Sequence, residues 1–539
     1  MAYSVYPPRP PPCGAGWLIT GRVVVYVRAS DRPGLLQAVS RGVTRAGGNI
    51  VLSLAYAREG RAHILLLVDV PSPPEGVEEA IRLEAGEVEV EARLQGEAGD
   101  LFARFLEGNP GLASSLEPYL EAADFVDILV RLPEDKARVV ARSLSPRTLA
   151  WVMELADKQT LDLIVSSLEV SRLLEALKEL DPDEAVDVLQ KLDERARRRL
   201  LLLLPPEYRR QAGFLLEYPP DTAGGIMTLS VPVLRVRDTV GRALHLARSP
   251  DYDVKDTVVV VDEDGRLVGL AEISDLLSHP PSTQLGEVAR KPRITVGPLE
   301  DQETVARLML RYYLRRLPVV DSDYRFLGLV TIEDVAYVLA EEAAEDIAKL
   351  AGSEVPIERY VPARVAELVR ARLPWLLVIY LIESITANVL KSYEHVLSRV
   401  AVLAAFIPLI MGTGGNVGSQ AVGLIIRALA LGEVSERSRD DALLILRKEL
   451  ATSLAIASVF SLVGLGFALA VSGSLKVGLA VALTLFIIIH LADLAGALLP
   501  LAARRLGIDP ASVSTPLITT VVDVSVAFIY MTIATILLL

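Results

Sequence analysis

The sequence is poor in the residues that build covalent cross-links and thiolate metal sites. It contains a single cysteine, Cys13, and five histidines among 539 residues. One cysteine excludes an intramolecular disulfide framework and a zinc site made of several cysteines, and it agrees with a reducing, intracellular location. No Walker loop, nucleophile–base pattern or metal-hydrolase spacing occurs in the sequence, so an enzyme is the least favoured class.

An excess of positive charge is also missing. The 55 Lys and Arg residues are outnumbered by 68 Asp and Glu residues, which gives a formal net charge of -13. Because a phosphate-binding surface needs clustered Lys and Arg, nucleic acid is excluded as the main partner. The mean hydropathy is nevertheless +0.39, although 23% of the residues are charged. This combination indicates that two kinds of chain are joined, and the length suggests about three to five domains.

Long apolar runs are absent up to about residue 370 and frequent after it. A transmembrane helix needs roughly 20 apolar residues, and the last third of the chain, 373–539, is predicted to be a five-span transmembrane pore domain. We predict spans at about 373–390, 396–413, 450–472, 477–502 and 513–538.

The basic residues around these spans are unevenly distributed. The segments before span one, between spans two and three, and between spans four and five carry ten Lys and Arg residues, against three in the alternate loops. By the positive-inside rule, the N-terminal region lies in the cytoplasm and the C-terminus lies outside. We therefore expect a multi-pass protein of the plasma membrane.

The soluble part begins with a Pro-rich tail, 1–16, which lacks an apolar h-region and is predicted to be disordered rather than a signal peptide. Residues 17–96 then alternate strand-like and helix-like stretches in the order βαββαβ, a ferredoxin-like α+β arrangement. The turn at 31–34 (DRPG) and the segment 47–50 (GGNI) resemble those of an ACT domain, a module that often binds amino acids near this turn. The resemblance implies ligand contacts from Asp31, Gly34 and Asn49; a structural or dimerising role is the alternative.

Residues 100–220 contain short amphipathic stretches with Leu at helical spacing, broken by Pro and Asp. This pattern predicts an α-helical superhelical bundle. Acidic side chains recur along it, among them Asp183 and Asp187. Solvated helix surfaces and N-caps explain most of them.

An internal repeat occupies the next segment, 221–340. Residues 258–277 align with 317–336, within the copy at 316–336, at a constant offset of 59, and each copy has the pattern strand, turn, strand, helix. The segment resembles a tandem CBS α/β pair, which binds adenine nucleotides such as ATP between its copies. The resemblance implies that Thr331 and Asp334 contact ribose and phosphate in the second copy. In the first copy, Glu272 stands at the hydroxyl position and disfavours a phosphate.

Ionisable residues within the predicted spans are costly in hydrocarbon and are therefore functional candidates. Asp523 is the strongest of these candidates, because it has apolar residues on both sides and no basic residue near it in sequence. Asp493 adds a second intramembrane carboxylate. Glu383 and His490 suit structural and functional roles equally.

Residues 408–420 hold four glycines, a proline and Asn416 at membrane depth. We expect this composition to loosen the helix and free backbone carbonyls, which is tolerated only inside protein or along a watery cavity. Carboxylates and carbonyls suit hard cations such as Mg²⁺ or Ca²⁺. For Mg²⁺, one or two carboxylates acting through its hydration shell suffice.

Several motifs over about 100–539 resemble the MgtE family of magnesium channels. They are 218–228 (YPPDTAGGIMT), 345–347 (EDI) with 349–352 (KLAG), 412–420 (GTGGNVGSQ), 506–511 (LGIDPA) and 520–523 (TVVD). The ACT-like segment lies outside this resemblance and is interpreted as an added module.

The resemblance implies a homodimeric, Mg²⁺-selective pore that is gated by the ion it carries. The predicted pore residues are Asp523, Asn416, Asp509 and Asp493, of which Asp493 is included for its position within span four. Cytosolic Mg²⁺ is expected to close the pore by binding between acidic surfaces of the bundle, the CBS pair and a connecting plug helix at 341–372. The predicted sensor residues are Asp334, Glu342, Glu345, Asp346, Asp183 and Asp187.

Three positions depart from the family pattern: Ser419, Asp493 and Val526. They leave ion selectivity open, so the same scaffold passing Co²⁺, Mn²⁺ or Ca²⁺ is one alternative. A membrane-anchored amino-acid and nucleotide sensor without a pore is the other.

Overall fold

The computed structural model describes residues 22–71, 73–249, 252–353, 363, 365–430, 433–434, 438–506 and 508–539. The predicted tail, 1–16, lies outside these residues. The chain divides into two units, the first comprising residues up to Arg293 with Val320–Gly328, and the second comprising Ile294–Val319 with Leu329–Leu539.

The first unit starts with the predicted βαββαβ arrangement. Its elements are β1 (Arg22–Ser30), α1 (Leu35–Arg45), β2 (Asn49–Arg58), β3 (Arg61–Asp69), α2 (Pro74–Ala85) and β4 (Glu89–Leu94). The strands form one antiparallel sheet in the order β2-β3-β1-β4. Because side chains alternate along a strand, β1 places Val23 and Val25 in the core beneath α1 and α2, while Val24 and Tyr26 face the opposite side.

That opposite face of the sheet is covered by helix α3 (Gly99–Gly108). Phe102 and Phe105 of α3 belong to the same buried cluster as Val24 and Tyr26 of β1. Arg104 of α3 also donates two hydrogen bonds, 2.8 and 2.6 Å long, to the carboxylate of Glu91 in β4. The ferredoxin-like domain and the helical region therefore share one continuous core.

The helical region consists of regularly repeated helices of eight to ten residues. They are α4 (Ala122–Arg131), α5 (Glu134–Ser143), α6 (Pro146–Leu155), α7 (Lys158–Ser167), α8 (Val170–Leu177), α9 (Pro182–Lys191), α10 (Glu194–Leu203) and α11 (Pro206–Leu215). The Pro and Asp residues that interrupt the Leu pattern lie at helix starts. There the missing N–H of Pro breaks no helical hydrogen bond, and the Asp carboxylate accepts from unpaired backbone N–H groups. Asp157 and Asp193 act as such N-caps.

The repeat at 221–340 has the predicted order of elements in both copies. The elements are β5 (Val233–Arg235), α12 (Val240–Leu246), β6 (Thr257–Val261), β7 (Leu267–Glu272), α13 (Ile273–Leu277), α14 (Leu285–Val288), α15 (Gln302–Arg311), β8 (Arg316–Val320), β9 (Phe326–Thr331) and α16 (Ile332–Leu350). The aligned aspartates Asp262 and Asp321 build the same turn. Each accepts hydrogen bonds from the backbone N–H groups two and four residues later, at 2.9 and 2.8 Å.

Five helices of the second unit are long and apolar enough to cross a membrane, as predicted, within the described part of the chain. These helical segments are Val365–Ser392, Ala401–Ala430, Arg439–Ser472, Leu475–Arg505 and Thr515–Leu538. We name the α-helices α17 (Val365–Ser392), α18 (Glu394–Arg399), α19 (Ile407–Ala430), α20 (Arg439–Ser472), α21 (Leu475–Arg505) and α22 (Thr515–Leu538). The predicted spans differ from these helices at their ends: α19 continues to Ala430, past the predicted end at 413, α20 begins at Arg439 instead of 450, and α22 begins at Thr515 instead of 513.

The prediction that residues 408–420 loosen the helix is wrong. These residues lie inside the continuous helix α19. Their glycines serve close packing instead: a Cβ atom at Gly414 would lie 2.6 Å from Ile488 Cγ2, and one at Gly418 would lie 2.7 Å from Ile518 Cγ2. Small residues at such positions let membrane helices approach closely.

The predicted plug segment, 341–372, is described only in part. Its first residues continue helix α16 as far as Leu350, and 365–372 form the start of α17. Residues 354–362 and 364 lie outside the described residues. A separate plug helix therefore stays a prediction.

Candidate ion path and acidic clusters

Asp523 lies in α22 with its side chain half-buried. Its Oδ1 atom is buried without a hydrogen-bond partner among the described residues. The carboxyl group of Glu383, on α17, is the ionisable group that acts on it electrostatically. An unpartnered carboxylate oxygen is costly away from water unless a cation or a proton compensates it. Facing carboxyl groups of this kind are suited to a hard cation.

Asn416 lies on α19 directly after a glycine that packs against α22. A Cβ atom at the neighbouring Gly415 would lie 2.9 Å from Thr519 Cγ2, and Thr519 precedes Asp523 by about one helical turn. The side chain of Asn416 is exposed. The structure thus brings the predicted pore residues Asn416 and Asp523 to the same pair of helices.

Asp493 lies deeper within the protein, between α21 and α20. It is only 4% exposed, and its carboxyl group is hydrogen-bonded to that of Glu449 on α20. Its Oδ2 atom has no hydrogen-bond partner in the described part of the chain. On the same helix, His490 Nδ1 lies 2.8 Å from the carbonyl oxygen of Phe486, so a local contact satisfies that ring nitrogen.

Asp509, predicted as a pore residue, lies instead beside residues predicted as sensors. Its Oδ2 atom accepts a 2.6 Å hydrogen bond from Lys349 Nζ, at the end of α16. The same ammonium group lies 2.5 Å from Glu345 Oε1. Asp523 lies about two turns after Thr515, the first residue of α22, which places it about 12 Å further along the helix axis. The structure therefore separates Asp509 from Asp523 and joins it to α16.

The other predicted sensor residues of α16 lie on the same helix as this cluster. Burial raises the pKa of Asp346 to about 6, and the charges of Asp509 and Glu303 add to the effect. Glu342 accepts a 2.8 Å hydrogen bond from Gln302, and burial raises its pKa as well. The end of α16 thus carries a surplus of negative charge, which favours binding of a cation.

Thr331 and Asp334, predicted to bind nucleotide, form a reciprocal cap at the start of α16. Thr331 Oγ1 donates to Asp334 Oδ2 at 2.6 Å, and the backbone N–H of Thr331 donates to the same oxygen at 3.0 Å. Burial raises the pKa of Asp334 against the effect of these bonds. Both side chains are thus already engaged in holding the helix start.

The predicted sensor residues of the first unit lie on α9. Asp183 is in its first turn, beside Glu184, whose pKa burial raises to about 8. Asp187 is exposed one turn later. Acidic side chains at a helix N-terminus are also stabilised by the helix dipole, so this placement alone does not identify a metal site.

The predicted ACT ligand residues lie at the surface of the ferredoxin-like domain. Gly34 precedes α1 with a φ of 81°, a left-handed conformation that glycine adopts without strain. Asp31 and Asn49 are exposed, and Asn49 is the first residue of β2. The turn is thus formed and accessible.

Three residues of these sites were missed by the sequence interpretation: Lys349, Glu303 and Glu449. Lys349 follows Glu345 by four residues, a spacing that favours a helical ion pair and was a usable signal. Glu449 directly follows Arg447 and Lys448, which made it look like part of a charged loop. In the described part of the chain, no group of three or more His, Cys, Asp and Glu side chains is arranged to hold a metal ion.

Taken together, five candidate membrane helices, facing carboxyl groups within them and acidic clusters outside them define a membrane transport protein for cations. Family models agree with this class. The model of a divalent cation transporter, MgtE, matches residues 407–533. That of the MgtE intracellular N domain matches 120–221, and the CBS domain model matches 223–282 and 285–341.

Two relatives named as magnesium transporters match over most of the chain. It is 38% identical over 413 residues to the magnesium transporter MgtE of Thermus thermophilus, covering 76% of this chain and 89% of that protein. It is 29% identical over 430 residues to the magnesium transporter MgtE of Bacillus subtilis, covering 78% and 92%. The chain belongs to the MgtE family of magnesium transporters.

Two solved structures resemble the soluble part. The cytosolic domain of the Mg²⁺ channel MgtE in complex with ATP is 34% identical, with a TM-score of 0.40, covering 42% of this chain and 93% of that chain. The soluble part of a magnesium transporter is 27% identical, with a TM-score of 0.41, covering 46% of this chain and all of the other.

Proposed function

We propose that this protein is a Mg²⁺-selective channel or transporter of the plasma membrane and that Mg²⁺ passes Asp523. The observation that carries the proposal is the buried, unpartnered oxygen of Asp523 opposite Glu383. Mg²⁺ gives up its water reluctantly and is usually bound through one or two carboxylates. Uptake of Mg²⁺ by cells that lack their own importers tests the proposal.

A homodimer is part of the proposal. Within the described residues, one copy offers no cluster of three metal-ligating side chains, whereas two copies of Asp523 facing one axis would double the carboxylates around the ion. Closed symmetric dimers are the commonest form of oligomer. The bilayer, Mg²⁺ and a second copy of the chain are thus its partners.

Regulation by Mg²⁺ from the cytosolic side completes the proposal. Ions bound among the acidic residues of α16 and α9 would draw together surfaces that otherwise repel, and the closed state gains stability by binding them better. The surplus negative charge around Asp346 supports this role. The contact between Asp509 and Lys349 supports placing Asp509 in the regulatory cluster.

The segment 340–370 is expected to become resistant to protease as Mg²⁺ rises into the millimolar range. Closure would pack this segment against the membrane domain and slow cleavage, because cleavage requires local opening. Limited proteolysis at a series of Mg²⁺ concentrations, with K⁺ at equal ionic strength as the control, measures the effect. Cleavage that is equally fast at every Mg²⁺ concentration would contradict it.

The soluble modules are proposed to bind further ligands. An adenine nucleotide such as ATP at the CBS pair would have to contact Thr331 and Asp334 while they cap α16. An amino acid at the ACT-like domain would contact Asp31, Gly34 and Asn49, a choice supported by their exposure. Binding of either ligand would raise the melting temperature of the protein.

The proposed orientation places the N-terminus in the cytoplasm and the C-terminus outside. The distribution of basic residues supports it. Two alternatives are tested by the same uptake experiments: transport of Co²⁺, Mn²⁺ or Ca²⁺, which a competition among ions would reveal, and a sensor without a pore, which would take up no ion.

A further inference from the structure

We propose that the ammonium group of Lys349 is a built-in competitor of Mg²⁺ at the regulatory cluster and sets the Mg²⁺ concentration at which the protein closes. This inference rests on the proposed regulation by cytosolic Mg²⁺. It assigns a role in regulation to a basic residue that lies among the acidic residues expected to bind Mg²⁺.

The geometry of Lys349 carries the inference. Its Nζ atom lies 2.6 Å from Asp509 Oδ2 and 2.5 Å from Glu345 Oε1. The Asp509 contact joins residues 160 positions apart in the sequence, and it connects α16 to the segment between α21 and α22. One tethered cation thus already occupies carboxylate oxygens from both elements.

A divalent ion cannot use the same oxygens while the ammonium group holds them. Mg²⁺ requires oxygen ligands in an octahedral arrangement at about 2.0–2.1 Å, or through its water shell at a somewhat longer distance. An ammonium nitrogen within hydrogen-bonding distance of both oxygens fills that space. Binding of Mg²⁺ between Glu345 and Asp509 therefore has to displace Lys349.

The charge of Lys349 is permanent. A lysine ammonium group is ordinarily protonated up to about pH 10. The competitor is therefore present at every physiological pH. Its effective concentration at the site is fixed by the helix that carries it.

The surrounding charge explains why Lys349 delays Mg²⁺ binding without preventing it. Glu345 and Asp509 contact the ammonium group, and the carboxyl group of Asp346 is acted on by the charges of all three residues. The further carboxyl group of Glu303 is paired with Arg307 at 3.4 Å. The single positive charge leaves the cluster negative, so a divalent ion still gains by entering. Removing the ammonium group should increase the affinity of the cluster for Mg²⁺.

The test compares neutral and charged replacements in the full-length protein, with Mg²⁺ as the only added divalent ion. Lys349→Met keeps an unbranched side chain only one atom shorter and removes its charge. Lys349→Gln is a second neutral variant, and Lys349→Arg retains the charge. Lys391→Met, in the last turn of α17, controls for loss of a charge elsewhere. The readouts are the Mg²⁺ concentration that half-protects 340–370 from protease and the one that half-inhibits uptake.

Both neutral variants are expected to close at Mg²⁺ concentrations about fivefold or more below that of the parent protein, in the range of typical couplings between sites. Lys349→Arg and Lys391→Met should stay near the parent value. If the contacts of Lys349 only stabilised the closed state, their loss would have the opposite effect and raise the Mg²⁺ concentration needed for closure. If the parent protein closes with Mg²⁺ but the neutral variants need the same or a higher Mg²⁺ concentration for half-closure, this inference is overturned while the proposed function stands. If Mg²⁺ never closes the parent protein, the proposed regulation and this inference fail together.

Discussion

Replacement of Asp523 by asparagine is expected to reduce Mg²⁺ uptake by about tenfold or more, because carboxylates along a cation path supply the charge that attracts the ion. Asparagine has nearly the same shape but no charge, so the packing of α22 is preserved. Uptake by cells that lack their own Mg²⁺ importers measures the effect.

The matched control for this variant is Ser525→Ala on the same helix. Ser525 Oγ donates to the carbonyl oxygen of Val521 within α22, so its loss removes no charge and breaks a hydrogen bond inside one helix. Comparable amounts of each variant in the membrane must be verified. An Asp523→Asn variant that transports as well as the Ser525→Ala variant would exclude Asp523 from the ion path.

Replacement of Gly496 by alanine is expected to destabilise the membrane domain and abolish uptake. A Cβ atom there would lie 2.4 Å from the carbonyl oxygen of Gly418 and 2.9 Å from Ala421 Cβ. The first of these neighbours is backbone, so relief requires α19 and α21 to move apart. Overpacking of this kind costs about 1–3 kcal/mol, and it displaces the helix that carries Asn416.

The control for this prediction is Gly423→Ala in α19, where a new Cβ atom would meet nothing within 4 Å. Alanine in a helix interior is favoured over glycine by about 1 kcal/mol, so this variant should be at least as stable as the parent. Thermal unfolding of the purified proteins in detergent measures the difference. Equal melting temperatures for Gly496→Ala and Gly423→Ala would contradict the packing described for α19 and α21.

The features that the sequence predicted correctly depend on local patterns. The two copies of the repeat were recognisable because Asp262 and Asp321 each form a turn with residues at most four positions later. The five spans were recognisable because crossing a bilayer requires a long apolar run. Neither inference needs knowledge of what the segment packs against.

The errors arise where the meaning of a residue depends on a distant partner. The glycines of α19 suggest a loosened helix until α21 and α22 are seen to lie against them. For Asp509, which belongs to a motif of the family, the pore role stays a prediction, and only the fold shows its contact with Lys349. Glu449 was missed for the same reason, since its partner Asp493 lies on another helix.

The most direct test of the central claim is ion flux through the purified protein in liposomes. With a Mg²⁺-sensitive dye inside and Mg²⁺ added outside, the parent protein should fill the vesicles and the Asp523→Asn variant should not. Parallel vesicles with Co²⁺, Mn²⁺ or Ca²⁺ and suitable dyes identify the preferred ion, which we expect to be Mg²⁺. Flux of Mg²⁺ no greater than that of protein-free liposomes, from a protein that is folded and inserted, would contradict the assignment of a magnesium pore.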